Sequence, residues 1–476
     1  MQIPDKPQLE GLETKWQAIW DQQQTYRFVC DQSTSREQIY SIDTPPPTVS
    51  GSLHIGHVFS YTHTDLVARY QRMKGKRVFY PMGWDDNGLP TERRVQNYYA
   101  VKCNPELPYD PNYQPKYAGD VPKSLKVGDY DQISRKNFIE LCGQLSTEDE
   151  KQFEKLWRYL GLSVDWSQNY QTIDQRSLQI SQRAFIENYQ AGQAYTKLAP
   201  GLWDVTFQTA VAQAEIEARE YPGFYHLLKF RTSKGDPVLI DTTRPELLAA
   251  CVAVIVNPND LRFKHLIGQT LISPLYDVEV PVFADEKVEV DKGTGVVMNC
   301  TFGDLVDVEW WRQFDLPNRT IIDRFGRILD FEPSWLATAR AQNNYAQIKG
   351  LTINQARTKV VEQLRASSEM EGEPRPTLRM TNFFEKGDKP LEIVSSRQWY
   401  IGNGGTDPEL NQQLIERGQA LHFYPDFMRV RYNNWVQGLN GDWLISRQRF
   451  FGVPLPVWYP LDRQGEPLYD QPIVPA

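Results

Sequence analysis

Apolar and polar positions alternate over residues 38–43 with the period of a β-strand, and Pro45, Pro46 and Pro47 then stop the run. Gly51 and Ser52 open a helix in which Phe59, Leu66, Tyr70 and Met73 recur at helical spacing as far as Gly75. Residues 77–84 read as a second buried strand. Together they predict a βαβ unit of about 45 residues with a right-handed crossover. Thr147 and Glu150 match a capping box, followed by Phe153, Leu156, Trp157 and Leu160 on one helical face and by Gly161 as a stop, so a helix is predicted to begin at Thr147 with that apolar face packed on the core.

Residues 103–135 are rich in Pro, Gly, Tyr and Lys without a period, which predicts a surface insertion. From about Tyr221 to Gly372 the pattern becomes short apolar runs between turn signals, at 238–240, 252–256, 278–283 and 296–298. That texture predicts a separate β-rich domain. Residues 442–445 and 457–459 carry aromatic and β-branched side chains that suit strands or strand edges of the first domain. The expected division is therefore 1–220, 221–372 and 373–476.

Composition narrows the classes. With 476 residues, 40% hydrophobic and 24% charged, the chain is globular and long enough for several domains. The longest apolar run, 247–256, has ten residues where a spanning helix needs about 20, and residues 1–10 hold no apolar signal core. A soluble, cytoplasmic protein with no membrane partner is expected. The net charge of −8 supplies no general basic field, so any nucleic-acid contact must be local. Five well-separated cysteines with no C-x-x-C pair read as free thiols rather than a zinc or redox site.

The candidate chemistry lies where the first strand turns into the helix. In open α/β sheets ligands sit at the carboxyl ends of strands, and a glycine-flanked helix N-terminus presents N–H groups to phosphates. His54 and His57 share one face there, and Gly56 between them permits a close approach to the backbone. Three of the six histidines fall within 54–63. Taken alone, the pair reads either as surface or core histidines or as a phosphate or metal site.

His54-Ile55-Gly56-His57 has specific company: Pro45-Pro46-Pro47-Thr48 before it and Gly83-Trp84-Asp85-Asp86-Asn87-Gly88 after the next strand. It resembles the signature of class I aminoacyl-tRNA synthetases. Thr242-Thr243-Arg244-Pro245-Glu246, Gln398-Trp399-Tyr400 and the segment from Asp442 to Gly452 extend the resemblance over nearly the whole chain, which is most similar to the valine enzymes of the valine, isoleucine and leucine group. The resemblance implies an α/β, Rossmann-type catalytic domain with an inserted β-rich editing domain. It implies ATP with Mg²⁺, valine and tRNA(Val) as partners, and formation of valyl-adenylate before transfer to the tRNA. By the same resemblance His54 and His57 are catalytic, Gly51, His54, Gly56 and His57 bind ATP, and Pro46, Pro47, Thr48, Asp85 and Phe451 bind the amino acid.

A hydrophobic valine pocket admits threonine, so a second, hydrolytic site is expected. The resemblance places it in the insertion at Thr242, Thr243, Arg244, Glu246, Asp304 and Asp307. The chain departs from many relatives at Thr48 and Phe451, where Asn and Trp are frequent, and at Leu247, Met298 and Gly303, where Thr, Lys and His occur. Gly201 to Asp204 and Glu385 to Asp388 stand where some relatives carry zinc cysteines, so no zinc is expected. No lysine follows Lys389 and no Lys-Met-Ser-Lys-Ser loop is present, so the second half of the nucleotide fold is expected elsewhere. The chain then reads as a fragment, as half of a split enzyme completed by a second chain, or as a shortened paralogue. A stand-alone editing esterase and a non-catalytic tRNA-binding module are the alternative functions.

Overall fold

The computed structural model describes residues 10–50, 53–126, 129–385 and 387–475, so residues 1–9, Gly51, Ser52, Val127, Gly128, Lys386 and Ala476 lie outside the described residues. The chain divides into two compact units, one comprising residues up to Ala191 with those from Arg449 onward, the other spanning Gly192–Gln448. Among the described residues no helix is long and apolar enough to cross a membrane.

The first unit contains α1 (Leu12–Gln23), β1 (Ile39–Ser41), α2 (Ile55–Met73), β2 (Arg77–Phe79), β3 (Gly83–Trp84) and α3 (Leu89–Tyr99). After these come β4 (Val101–Cys103), β5 (Asp131–Ile133), α4 (Arg135–Tyr159), β6 (Tyr170–Gln171) and α5 (Gln175–Gln190). β1 and β2 pair in parallel with α2 between them, as the βαβ pattern predicts. The predicted second strand is divided into β2 and β3, and β3 pairs in parallel with β6.

The helices differ from the sequence pattern in which face is covered and in where α4 starts. Phe59, Leu66, Tyr70 and Met73 of α2 are exposed, Met73 at 86%, whereas Tyr61, Asp65 and Ala68 are buried. A period identifies residues that share a face, but not which face is covered. The covered face is polar in part: Asp65 accepts Arg69 Nε at 2.7 Å and the backbone N–H of Ser163 at 2.7 Å. α4 begins at Arg135 rather than Thr147, because Ser134 caps it by accepting the N–H of Asn137 at 3.2 Å. Phe138, Leu141, Cys142 and Leu145 continue its buried face upstream, and Thr147 bonds back to the Gly143 carbonyl within the helix. Farther along α4, Phe153 and Trp157 are buried while Leu156 and Leu160 are exposed.

The second unit opens with β7 (Ala194–Asp204), β8 (Thr209–Ala210), β9 (Ile216–Thr232) and β10 (Pro237–Thr242). β11 (Cys251–Val256), β12 (Thr270–Ile272), β13 (Glu279–Ala284) and β14 (Val296–Cys300) follow, then α6 (Leu305–Gln313), α7 (Ala339–Ala346) and α8 (Ile353–Ala366). It ends with β15 (Met370–Phe384), β16 (Glu392–Ile401), α9 (Pro408–Gln419), α10 (Arg429–Gln437) and β17 (Trp443–Leu444). The four apolar runs expected as strands correspond to β10, β11, β13 and β14. They lie in a seven-stranded sheet of order β10-β9-β12-β13-β11-β14, with β15 also on β9. β11 is fully buried along its length, which explains its unbroken apolar sequence.

A four-stranded sheet of order β17-β16-β7-β8 completes this unit. β17 pairs with β16 in one sheet with β7 and β8, so a strand does form within 442–445, over Trp443–Leu444. Residues 457–459 form no strand, only the isolated bridge of Trp458 with Ile473.

Candidate active site

The site of the first unit is built where β1 and β3 end. Thr48 forms a parallel bridge with Asp85: the Asp85 N–H donates to the Pro47 carbonyl at 3.0 Å, and the Val49 N–H donates to the Asp85 carbonyl at 2.9 Å. The Asp85 carboxylate accepts the hydroxyls of Thr48 at 3.1 Å and Thr172 at 3.4 Å. Pro47 is buried and Pro46 half-buried. Thr48 thus anchors Asp85 in place.

From Thr48 the chain leads to the start of α2, which the two histidines cap. His54 Nδ1 accepts the Gly56 N–H at 3.1 Å, and His57 Nδ1 accepts the His54 N–H at 3.3 Å. Their ring centroids lie 4.0 Å apart. Because each Nδ1 accepts, a neutral ring carries its proton on Nε2, where it can be donated to an anion. Burial, then His54, push the His57 pKa down and favour that neutral ring. A Cβ at Gly56 would stand 3.0 Å from two atoms of the His54 ring, so glycine leaves room for the cap. Phe153 lies edge-on to both His57 and Trp84, joining the helix start to β3.

Phe451 is buried with Phe138, Leu141 and Val95. Its carbonyl accepts the Gly88 N–H at 3.1 Å, and the N–H groups of Phe450 and Phe451 donate to the buried Glu92 at 2.7 and 3.0 Å. Gly88 lies three positions beyond Asp85, so these bonds bring the distant Phe451 to the β3 end. Sequence reasoning did not single out Glu92, Thr172, Asp86 or the pairing role of Glu150. Asp86 lines a cavity with Glu150, Phe450 and Phe451. Burial, then the charges of Glu150 and Asp85, push its pKa up to about 8. Two adjacent acids at a strand end were the available signal, since neighbouring strand residues point to opposite faces.

In the second unit, the Thr242 hydroxyl accepts the Arg244 N–H at 3.0 Å, and Thr243 accepts Arg379 Nη1 at 3.0 Å. Arg244 and Glu246 belong to a buried ion network: Arg244 donates to Glu246 at 2.6 Å and to Glu392 at 2.7 Å, while Arg357 donates to both Glu246 oxygens at 2.9 and 2.7 Å. Burial raises the Glu246 pKa, but Arg244 and Arg357 outweigh it and hold it down to about 2. Asp304 is exposed and caps α6 by accepting the Asp307 N–H at 3.0 Å. Asp307 is buried and accepts the N–H groups of Gly303 at 2.8 Å and Asp304 at 3.3 Å. Burial, then Asp304, raise its pKa well above the usual carboxylate range. A Cβ at Gly303 would lie 2.6 Å from Asp307 Oδ2 and 3.4 Å from Leu247 Cδ1, so the 242–247 and 303–307 segments meet there. Met298 is buried on β14.

The family model for class I tRNA synthetases (I, L, M and V) matches residues 15–107 and 121–471. The chain belongs to the class I tRNA synthetases. This synthetase chain is 61% identical over 474 residues to a valine–tRNA ligase of Bifidobacterium longum strain DJO10A, covering 100% of itself and 52% of that protein. A valine–tRNA ligase of Cutibacterium acnes is 61% identical over 473 residues, with 99% and 54% covered. A solved ternary LeuRS-tRNA-LeuAMS complex from Agrobacterium radiobacter K84 is similar at 18% identity and a TM-score of 0.38, covering 94% of this chain and 50% of that one. The synthetase chain spans about half the length of the curated relatives it matches.

Proposed function

We propose that this chain carries the valine-recognising half of a valine–tRNA ligase together with its hydrolytic domain, residues 221–372. The carrying observation is Asp85, fixed by Thr48 and Pro47 on the segment that leads into the histidine-capped start of α2. In this reading the Asp85 carboxylate receives the α-ammonium of valine, with Pro46, Pro47, Thr48 and Phe451 around the side chain. His54 and His57 donate from Nε2 to the phosphates of ATP, with Gly56 admitting the nucleotide and Gly51 as a further proposed ATP contact. The developing charge on the α-phosphate is then stabilised by donors already oriented by the helix cap. Mg²⁺ arrives with ATP as part of that substrate, and valine passes from the adenylate to tRNA(Val) in the cytoplasm.

The second site would hydrolyse threonyl-tRNA(Val). Thr242, Thr243 and Asp304 border the substrate, while Arg244, Glu246 and Asp307 hold the surrounding backbone. The remainder of the enzyme, on the same polypeptide or on a second one, would cover the exposed stripe of α2. The test runs valine-dependent pyrophosphate–ATP exchange and threonine release from threonyl-tRNA(Val) on this chain. Beside it run a His54→Ala, His57→Ala variant and an Asp307→Ala variant. Deacylation lost only in Asp307→Ala, with exchange requiring the remaining half and the histidines, supports the reading. Valine binding that survives Asp85→Ala overturns the amino-acid assignment.

A further inference from the structure

The cavity on the other side of the β3 end contains an acid pair, Asp86 and Glu150. Asp86 is 1% exposed, and neither of its carboxylate oxygens meets a hydrogen-bond donor among the described residues. The group within hydrogen-bonding reach is the half-buried Glu150 of α4, which already accepts Gln171 Nε2 at 2.6 Å. Ile139, Ile173, Phe450 and Phe451 supply apolar walls to this cavity of about 410 Å³, and the buried Ser146 hydroxyl that also lines it has no partner among the described residues.

The surrounding charges do not neutralise the pair. Asp85 lies on the same strand end, Asp174 caps α5, and Glu154 lies on α4; all add negative charge. Lys151 acts on Glu150 but is paired with Glu148 at 2.9 Å, and Arg449, on the segment that brings in Phe450, is paired with Glu92 at 3.2 Å. Two carboxylates in one apolar site cannot both ionise without a large penalty.

We propose that Asp86 and Glu150 hold a single proton between them, with Asp86 donating to Glu150, and that this neutralised pair is a positioning element for the amino-acid site at Asp85. Asp85 and Asp86 are consecutive, so a second ionised group there would repel the Asp85 carboxylate and disturb its bonds to Thr48 and Thr172. The shared proton removes that repulsion and ties β3 to α4. Gln171 orients Glu150 as the acceptor. The part played at Asp85 rests on the proposed function; the proton itself does not.

The experiment is a pH titration of this chain followed by infrared difference spectroscopy, with Asp86→Asn and Glu150→Gln beside it, all in an Asp307→Asn background because the buried Asp307 carboxyl would add a band of its own. A protonated carboxyl carbonyl band is expected at neutral pH, lost at alkaline pH and absent in Asp86→Asn. In Glu150→Gln the band should be lost at lower pH, because the repelling carboxylate is gone. Absence of the band at neutral pH in the folded chain, or its persistence in Asp86→Asn, overturns the pair. Folding stability gives a second readout: the folded state retains a proton that the unfolded state releases, so wild-type stability should fall relative to Asp86→Asn as pH rises from about 4 to about 8. Valine affinity of the wild type, measured by calorimetry, should fall several-fold as pH rises past about 8 and the pair loses its proton, whereas that of Asp86→Asn should not follow this profile. Equal pH profiles in the two proteins overturn the positioning role. Absence of valine binding in every form, with the band present, overturns the amino-acid site and leaves the acid pair standing.

Discussion

The buried carboxylate of Glu92 accepts the backbone N–H of Phe451 at 3.0 Å, across 359 positions of sequence. It also accepts the N–H of Phe450 and pairs with Arg449 at 3.2 Å. Removing the carboxylate strands two buried donors and a guanidinium whose side chain is 12% exposed. Glu92→Ala should therefore cost about 3–5 kcal/mol in denaturant unfolding. Glu92→Gln, which keeps an acceptor without the charge, should cost less and retain more valine binding.

Gly303 touches the Asp307 carboxylate. A side chain there displaces Oδ2 from the two N–H groups it accepts at the start of α6. Gly303→Ala is expected to lower threonyl-tRNA deacylation at least tenfold while costing about 1–3 kcal/mol of stability. Single-turnover deacylation and urea unfolding of the same preparation separate the two effects.

Glu246 makes the second unit sensitive to acid. Its folded pKa of about 2 lies below the unfolded 4.5, so its contribution is present above the unfolded value and disappears as pH falls through the folded one. That contribution is on the order of 3 kcal/mol. Stability should decline from about pH 4.5 toward 2, and Glu246→Gln should flatten that decline while being destabilised at neutral pH by its two stranded arginines. Equal slopes in the two proteins would exclude the assignment.

How legible this molecule was depended on the range of the interactions. The four short apolar runs became β10, β11, β13 and β14 because each turns apolar side chains to a core, β11 along its whole length and β10 and β13 at alternate positions, which a local pattern reveals. Helical spacing located α2 and aligned Phe59 with Met73, but it does not say what lies against them, and the stripe is exposed. Thr147 and Glu150 matched a cap in isolation, but Ser134, farther upstream, begins the helix. In the candidate site, His54, His57, Thr48 and Asp85 were found through neighbouring letters. Glu92, Thr172 and the partnership of Asp86 with Glu150 were not, since each works through a contact made only after folding.

The exposed α2 stripe yields a solubility prediction. Ile55, Phe59, Leu66, Tyr70 and Met73 together expose an apolar helix face. Phe59→Ser with Met73→Ser should raise the soluble, monodisperse fraction of this chain by size-exclusion chromatography. The same changes should weaken its reconstitution with the remaining half of a valine–tRNA ligase. Unaltered reconstitution would place the companion surface elsewhere.

The long pairing of β9 with β15 runs from Ile216 opposite Phe384 to beyond Tyr221 opposite Arg379. Everything from Pro222 to Leu378 is therefore suspended from a two-stranded stalk whose incoming and outgoing chains are bonded neighbours. Such an attachment asks nothing of the host except two adjacent ends. A tight turn joining Tyr221 to Arg379 would bridge the gap if the intervening part were removed, and a foreign domain with neighbouring termini could be spliced into the same place. The stalk thus explains in purely geometric terms how an inserted domain can be gained, exchanged or discarded while the strands beneath it remain paired.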